Sequence, residues 1–226
     1  MDLRLVIFDC DGTLVDSQFG IVQSMQSAFQ SFGLIAPEPG AVKRVVGLSL
    51  ESAVSHLSPD LPPDDVVRVA DLYRARFRTL RQTGNLPEPL FEGMVEAIQA
   101  LDQGGWLLGV ATGKSRRGLH AVLERHGLKH MFVTLQTADD VTRGKPAPDM
   151  CHRACREAGV DPAAAVVIGD TSFDMAMARS AGAHALGVSW GYHEPAELTE
   201  AGAGRVLDHP SELVDAVGRI FGGRGR

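Results

Sequence analysis

Phe8-Asp9-Cys10-Asp11-Gly12-Thr13-Leu14 closes an apolar run made of Leu3, Leu5, Val6, Ile7 and Phe8. A near-continuous apolar run is the pattern of a strand buried on both faces of a parallel sheet, whereas a half-exposed strand alternates. Two carboxylates follow, two residues apart, where that strand should end. Gly12 permits a sharp turn there, because it lacks the Cβ that disfavours positive φ. In open α/β sheets, ligands and reactive groups collect at the carboxyl ends of the strands. Asp9 is therefore expected to be a nucleophile and Asp11 a proton carrier, with a magnesium ion beside them. A plain strand-closing turn would use the same residue types, and three later segments separate the two readings.

Immediately downstream the pattern turns helical. Ile21, Val22, Met25, Ala28, Phe29 and Phe32 recur at helical spacing, with Asp16 or Ser17 as a cap and Gly33 as a stop. Pro37, Pro39 and Gly40 mark a loop. Val42, Val45 and Val46 mark a second helix that breaks at Gly47, and residues 50–57 a third. After Pro62-Pro63-Asp64, Val66, Val69, Ala70, Tyr73, Phe77 and Leu80 line one face of a longer helix. No piece alternates like a strand, and the excursion is too long for a simple crossover. Residues 17–86 read as an all-helical cap domain inserted into an α/β core of residues 1–16 and 87–226. The tethers are residues 14–17 and Asn85-Leu86-Pro87-Glu88-Pro89. Arg74, Arg78 and Arg81 share the side opposite the apolar face of the long helix. A solvated face explains them; a surface that draws anions toward a cleft is the sharper alternative.

Strand and helix then alternate. Trp106-Leu107-Leu108-Gly109-Val110-Ala111 is a strand that runs into Thr112-Gly113-Lys114-Ser115. Phe132-Val133-Thr134-Leu135 is a short strand. Ala165-Val166-Val167-Ile168 ends at Gly169-Asp170, residues 183–188 form another strand, and Arg205-Val206-Leu207 an edge strand. Helical segments fall between them. This alternation predicts a doubly wound parallel sheet covered on both faces.

Composition narrows the function classes. The chain has 226 residues, 44% hydrophobic and 22% charged, enough for a full core and two domains. A net charge of −6 and a pI near 5.7 set nucleic-acid binding low. No membrane-spanning run and no signal-peptide pattern is present, so a cytoplasmic protein without a membrane partner is expected. Cys10, Cys151 and Cys155 do not form a secreted disulfide framework. Cys151 and Cys155 lie one helical turn apart and would suit a soft metal with His126 or His130, but no second cysteine pair completes a zinc site. All three are expected to be packing residues.

Four strand ends thus present polar groups: Asp9 with Asp11, Thr112 with Gly113, Lys145, and Asp170 with Asp174. Each alone has a bland explanation as a loop lysine, a turn or a helix-start acid. Together, at one sheet edge, they suit a phosphate monoester and a divalent cation. A cation between phosphate dianion and carboxylate nucleophile cancels their repulsion, and Asp9 and Asp170 are its natural ligands. Asp11 would offer its main-chain carbonyl and keep its side chain for proton transfer. Thr112 and the N–H groups of Gly113 and Lys114 form an anion site. Lys145 supplies fixed positive charge to Asp9 and the transition state.

The order Asp9-x-Asp11-Gly12-Thr13, Thr112-Gly113, Lys145-Pro146, Gly169-Asp170-Thr171-x-x-Asp174 resembles the haloacid dehalogenase superfamily nearly end to end. The helical insert looks like that superfamily's C1 cap, and the whole is similar to its phosphoglycolate phosphatase-like branch. The resemblance implies Asp9 as nucleophile, Asp11 as acid and base, and magnesium held by Asp9, Asp11 and Asp170. Asp174 would stand behind these ligands or replace one. Thr112, Gly113 and Lys145 would bind the phosphoryl group, and Gly47, Leu48 and Ser49 would face the cleft and set specificity. A small phosphorylated metabolite is the expected partner, phosphoglycolate first, and the protein a monomer or homodimer. A pyrophosphatase, a nucleoside monophosphate phosphatase, or a non-catalytic phosphoester-binding regulator is the alternative.

Departures sharpen this. Dehalogenases proper lack the second acid, so Asp11 argues for phosphoryl chemistry. The related phosphomutases place a cap His where Ile21 stands and basic residues where Val46 and Leu50 flank Gly47, which sets the mutase reading low. Phosphonate-cleaving relatives use a cap lysine, and Lys43 does not match its context.

Overall fold

The computed structural model describes residues 3–222. Its core is one six-stranded sheet of β1 (Leu5–Phe8), β2 (Leu107–Thr112), β3 (Thr134–Thr137), β4 (Ala165–Gly169), β5 (His184–Val188) and β6 (Arg205–Leu207). The strands lie in the order β3-β2-β1-β4-β5-β6, and every pairing is parallel. The strand order reverses beside β1. Phe8 pairs with Val110 on one side and Ile168 on the other. The crevice at such a reversal is where open α/β sheets place their ligands, and Asp9 is the next residue.

The uninterrupted apolar run of β1 is explained by two covered faces. Val6, Phe8 and Cys10 enter a core with α5 (Met94–Gln103), α6 (Arg116–Arg125) and α10 (Leu213–Ile220). Leu5 and Ile7 enter a second core with α7 (Asp149–Ala158), α8 (Ser172–Ala181) and α9 (Pro195–Ala201). All four β1 residues are fully buried, and each large apolar side chain contributes about 1.5–3 kcal/mol by leaving water. Cys10 follows the pleat onto the face opposite Asp9. Cys151 and Cys155 are free thiols buried in the second core.

Between β1 and α5 lie α1 (Gln18–Phe32), α2 (Pro39–Arg44), α3 (Leu50–Leu57) and α4 (Pro63–Gln82). These bury their own apolar cluster, with Ile21, Phe29, Val54 and Val69 inside it. Phe173 of α8 and Tyr192 after β5 pack onto that cluster from the sheet side. The two tethers run side by side. Phe91 N–H donates to the Leu14 carbonyl (3.1 Å) and Asp16 N–H to the Pro89 carbonyl (2.9 Å).

Two elements depart from the sequence pattern. The short third strand was expected over Phe132-Val133-Thr134-Leu135 and lies at Thr134–Thr137. Phe132 is apolar because it plugs the core edge-on against Phe8, at 6.4 Å between ring centroids. The true strand is polar, and its buried Thr134 and Gln136 both donate to Glu157 of α7, at 2.8 and 2.6 Å. The second helix of the insert, α2, ends at Arg44, so Val45 and Val46 are buried from a turn, not from a helix face. Among the described residues no helix is long and apolar enough to cross a membrane.

Candidate active site at the strand ends

Asp9 leaves β1 with its N–H donating to the Ile168 carbonyl at 2.9 Å, which pins it against β4. Its Oδ1 accepts from Cys10 N–H (2.6 Å) and pairs with Lys145 Nζ (2.9 Å). Its Oδ2 is buried with no partner. Lys145 reaches in from the loop before α7 and also meets Asp174 Oδ1 at 2.5 Å. Neither partner is exposed. Asp174 has a double role. Its Oδ2 accepts from the N–H and hydroxyl of Thr171, at 3.1 and 2.6 Å, and so completes a reciprocal cap on α8. The other oxygen faces the site. The helix-start role and the site role are therefore filled by the two oxygens of one carboxylate.

Asp170 is fixed from three directions. Its Oδ1 accepts from the Thr13 hydroxyl at 2.8 Å, and its Oδ2 from Tyr192 N–H at 3.0 Å. Gly12, at φ +86°, lies so close that a Cβ would overlap Asp170 Oδ2. The glycine that suggested a turn is thus required twice, by its backbone angle and by the approach of a carboxylate.

Oxygens of Asp9, Asp170 and Asp174 lie within 4.8 Å of one another. Three buried carboxylates face one ammonium, so full ionisation would leave two negative charges uncompensated in low dielectric. That excess, together with the unpartnered Asp9 Oδ2, fits a hard divalent cation with oxygen ligands. Protons fill the deficit otherwise. Burial pushes Asp9 from 3.8 up to about 7 against the pull of Lys145, and burial together with Asp9 pushes Asp170 well up. Burial disfavours the Lys145 ammonium, but Asp174 and Asp9 outweigh it and its pKa rises.

The sign of the consequence is fixed. Above 3.8 an unfolded Asp9 releases its proton, while the folded one keeps it until about 7. The proton therefore favours the folded state in that window, and stability falls as pH rises through it. Metal-free protein is expected to melt at lower temperature as pH rises toward 7, with a shallower slope in Asp9→Asn. Thermal melts in chelator across that window check it.

Asp11 is placed differently. Its Oδ1 accepts from the Ser17 hydroxyl and pairs with Lys114 Nζ at 2.8 Å. Its carboxylate is not part of the three-acid cluster, which turns on Asp174 instead. Asp11 was expected to offer a cation its main-chain carbonyl, and Asp174 to stand behind the ligands or replace one. Ser17 and Lys114 hold the Asp11 side chain aside from the cluster.

Thr112 ends β2, where its Oγ1 accepts from Lys114 N–H at 3.2 Å. The amide expected to serve an anion is thus engaged, and α6 begins at Arg116 with Ser115 as its cap. Gly113 is covered by the loop expected to set specificity. A Cβ on Gly113 would overlap the carbonyls of Gly47 and Leu48. Gly47, Leu48, Ser49, Thr112 and Gly113 all line one cleft of about 610 Å³ that opens onto Asp9 and Asp11. The Ser49 hydroxyl itself is committed to Ser52, at 2.8 Å.

Two groups of side chains make contacts that the sequence pattern did not announce. Lys114 is nearly buried and bridges Asp11 to Glu88 (3.2 Å), and Arg81 meets Glu88 at 3.1 Å. Glu88 sits in the second tether, so this chain of charges links Asp11 to the insert. The loop Trp190-Gly191-Tyr192-His193 is the other. Trp190 Nε1 donates to the Thr13 carbonyl (3.1 Å), and Ser172 N–H donates to His193 Nδ1 (3.2 Å). His193 Nε2 therefore carries the proton and donates to the Arg44 carbonyl at 3.2 Å, and burial lowers the His193 pKa, in keeping with a neutral ring. An aromatic-glycine run directly after a strand is the signal that points to this loop.

Known proteins share this architecture. The family model described as haloacid dehalogenase-like hydrolase matches residues 6–188. Probable phosphatase IndB of Dickeya dadantii is 37% identical over 214 residues, 94% of this chain and 92% of that protein. The N-acetylmuramic acid 6-phosphate phosphatase of Pseudomonas aeruginosa is 31% identical, covering 98% and 97%. A phosphoglycolate phosphatase of Vibrio vulnificus is 27% identical, with 96% of each chain covered. Among solved structures, a hydrolase from Pseudomonas syringae superposes with a TM-score of 0.83 at 27% identity, covering 96% and 99%.

Proposed function

The chain belongs to the haloacid dehalogenase-like hydrolases, and from that membership we propose that it hydrolyses small phosphate monoesters with magnesium, with residues 17–86 as its cap. The observation that carries this is the buried, under-neutralised cluster of Asp9, Asp170 and Asp174 around Lys145, beneath a cleft lined by Thr112 and Gly113.

Asp9, Asp170 and Asp174 would hold the ion, with the Asp11 carbonyl as a further oxygen. When bound, the cation neutralises the phosphate dianion and lowers its repulsion from the carboxylate nucleophile. Asp9 attacks phosphorus, and the ester P–O bond breaks. Its lone pair is available because Lys145 and Cys10 N–H hold Oδ1 in place. Asp11 gives its proton to the departing alkoxide. A water then attacks the aspartyl-phosphate, passes its proton to Asp11, and Asp9 is regenerated as inorganic phosphate leaves. Ser17 and Lys114 both hold Asp11 Oδ1, so Oδ2 is the oxygen that carries the proton.

Phosphate release from a panel of esters, with magnesium and with excess chelator, tests this reading. Turnover that chelator abolishes is expected; full turnover in chelator would refute the metal role. Lys114→Met is expected to lower kcat on the order of 10- to 100-fold, part of the usual contribution of a positioned proton donor. KM should change little, because Lys114 orients Asp11 and does not hold phosphate. Steady-state kinetics with one ester separates the two constants.

The relatives are named for different esters, N-acetylmuramic acid 6-phosphate in one and phosphoglycolate in another. The Asp9–Lys145 pair beneath the cleft and the Asp11–Lys114 pair beside it support the catalytic reading over a non-catalytic regulator.

A further inference from the structure

We infer that Arg78 and Arg117 form a subsite for a second anionic group on the substrate, remote from the phosphoryl being transferred. This rests on the phosphatase reading and deepens it. Both arginines line the cleft that opens onto Asp9 and Asp11, Arg78 from α4 on the insert and Arg117 from the first turn of α6 on the core.

The charge inventory of that cleft singles them out. Arg74 is engaged by Glu51 at 2.5 Å and by Asp71 at 3.0 Å. Arg81 and Lys114 converge on Glu88, and Lys114 also on Asp11. Asp139 accepts from Arg116 N–H at 2.8 Å, and the Arg116 guanidinium meets Asp140. Among the described residues neither Arg78 nor Arg117 has an acid partner within ion-pair distance. Glu51, Asp11 and Asp9 on the cleft wall each meet a cation, whereas two guanidinium groups, one from the insert and one from the core, meet no acid among the described residues.

A guanidinium pair of this kind recognises a carboxylate or a phosphate through paired N–H donors. A volume of about 610 Å³ leaves room for such a group beyond the phosphoryl site. The arrangement also sharpens the expectation for the cap arginines. Of Arg74, Arg78 and Arg81, only Arg78 keeps its charge uncommitted, and its counterpart comes from the core.

Matched ester pairs test the inference. 3-Phosphoglycerate against glycerol 3-phosphate isolates a carboxylate; fructose 1,6-bisphosphate against fructose 6-phosphate isolates a second phosphate. The wild type is expected to favour the doubly anionic member of at least one pair on the order of 10- to 100-fold in kcat/KM. The pair that shows the preference identifies the anion. Arg78→Gln and Arg117→Gln should each collapse the ratio toward one while leaving turnover of the singly anionic ester near wild type. Arg78→Lys should restore part of it. Both residues are exposed, so the variants should fold. If the arginines act only by general attraction, the wild-type preference should vanish at high ionic strength and the variants should match the wild type there, which would overturn the subsite. A wild-type ratio near one, or a high ratio untouched by both variants, would overturn it as well. Absence of turnover with every ester would instead bring down the phosphatase reading, and the subsite with it.

Discussion

Asp9→Asn is expected to abolish phosphate release, by on the order of 10⁴-fold or more, the scale on which enzymes lose rate with their nucleophile. The amide keeps the shape of the carboxylate but lacks the lone pair that forms the aspartyl-phosphate. The surroundings should survive. Cys10 N–H can still donate to the side-chain oxygen, as it does to Oδ1 at 2.6 Å. Lys145 keeps its second partner, Asp174, at 2.5 Å. The change also removes one of three buried carboxylates that lack sufficient positive charge, so metal-free stability should hold or rise. Loss of turnover with an unchanged or higher melting temperature would therefore assign the nucleophile. Retained turnover would sink the covalent route, because Asp9 Oδ2 is the cluster oxygen that meets neither Lys145 nor a hydrogen-bond donor, whereas the Asp170 and Asp174 oxygens are all engaged.

Lys145→Met is expected to be the most destabilising single change at the site. Lys145 is the one cation in direct contact with Asp9 and Asp174 among the described residues, and its side chain has no exposure. Removing one partner of a buried ion pair costs about 3–5 kcal/mol, because the remaining charge is left without compensation. Here two carboxylates lose their counterion at once. Turnover should fall along with stability, since the fixed charge beside Asp9 goes too. Magnesium should recover much of the stability and little of the turnover, because the ion replaces charge but not the ammonium that orients Asp9. Urea unfolding with magnesium and with chelator, beside steady-state rates, checks both halves. Equal unfolding midpoints for variant and wild type in chelator would show that Lys145 does not balance the cluster.

The parts of this protein that were legible early share one property. They depend on residues close together in sequence or on simple periodicity. β1 shows itself as an unbroken apolar run, α1 and α4 as amphipathic stripes, and β6 as three residues between turns. The acids and the lysine are legible because each follows a strand of one parallel sheet, Asp9 directly and Lys145 in the loop between β3 and α7, and topology brings these segments to one edge. The third strand was expected two residues too early because its buried Thr134 and Gln136 are polar and are satisfied by Glu157 of α7, twenty-three residues from Thr134. A buried polar strand has no local signature, since what makes it tolerable is a partner supplied by another element.

By itself the amino-acid sequence determined the α/β class, the helical insert and the identity of Asp9, Asp11, Lys145 and Asp170 as residues of one strand-end edge. Tertiary structure alone decided which carboxylates converge, that Asp174 divides its oxygens between a helix cap and the cluster, and that Lys114 ties Asp11 to Glu88 on the tether. It also decided which cleft arginines are free, because a charge is committed only by an acid that the fold brings within reach. Periodicity reports which face of an element is covered. Pair distances between groups 26 or 157 residues apart, such as Lys114 with Glu88 or Thr13 with Asp170, exist only once the chain has packed.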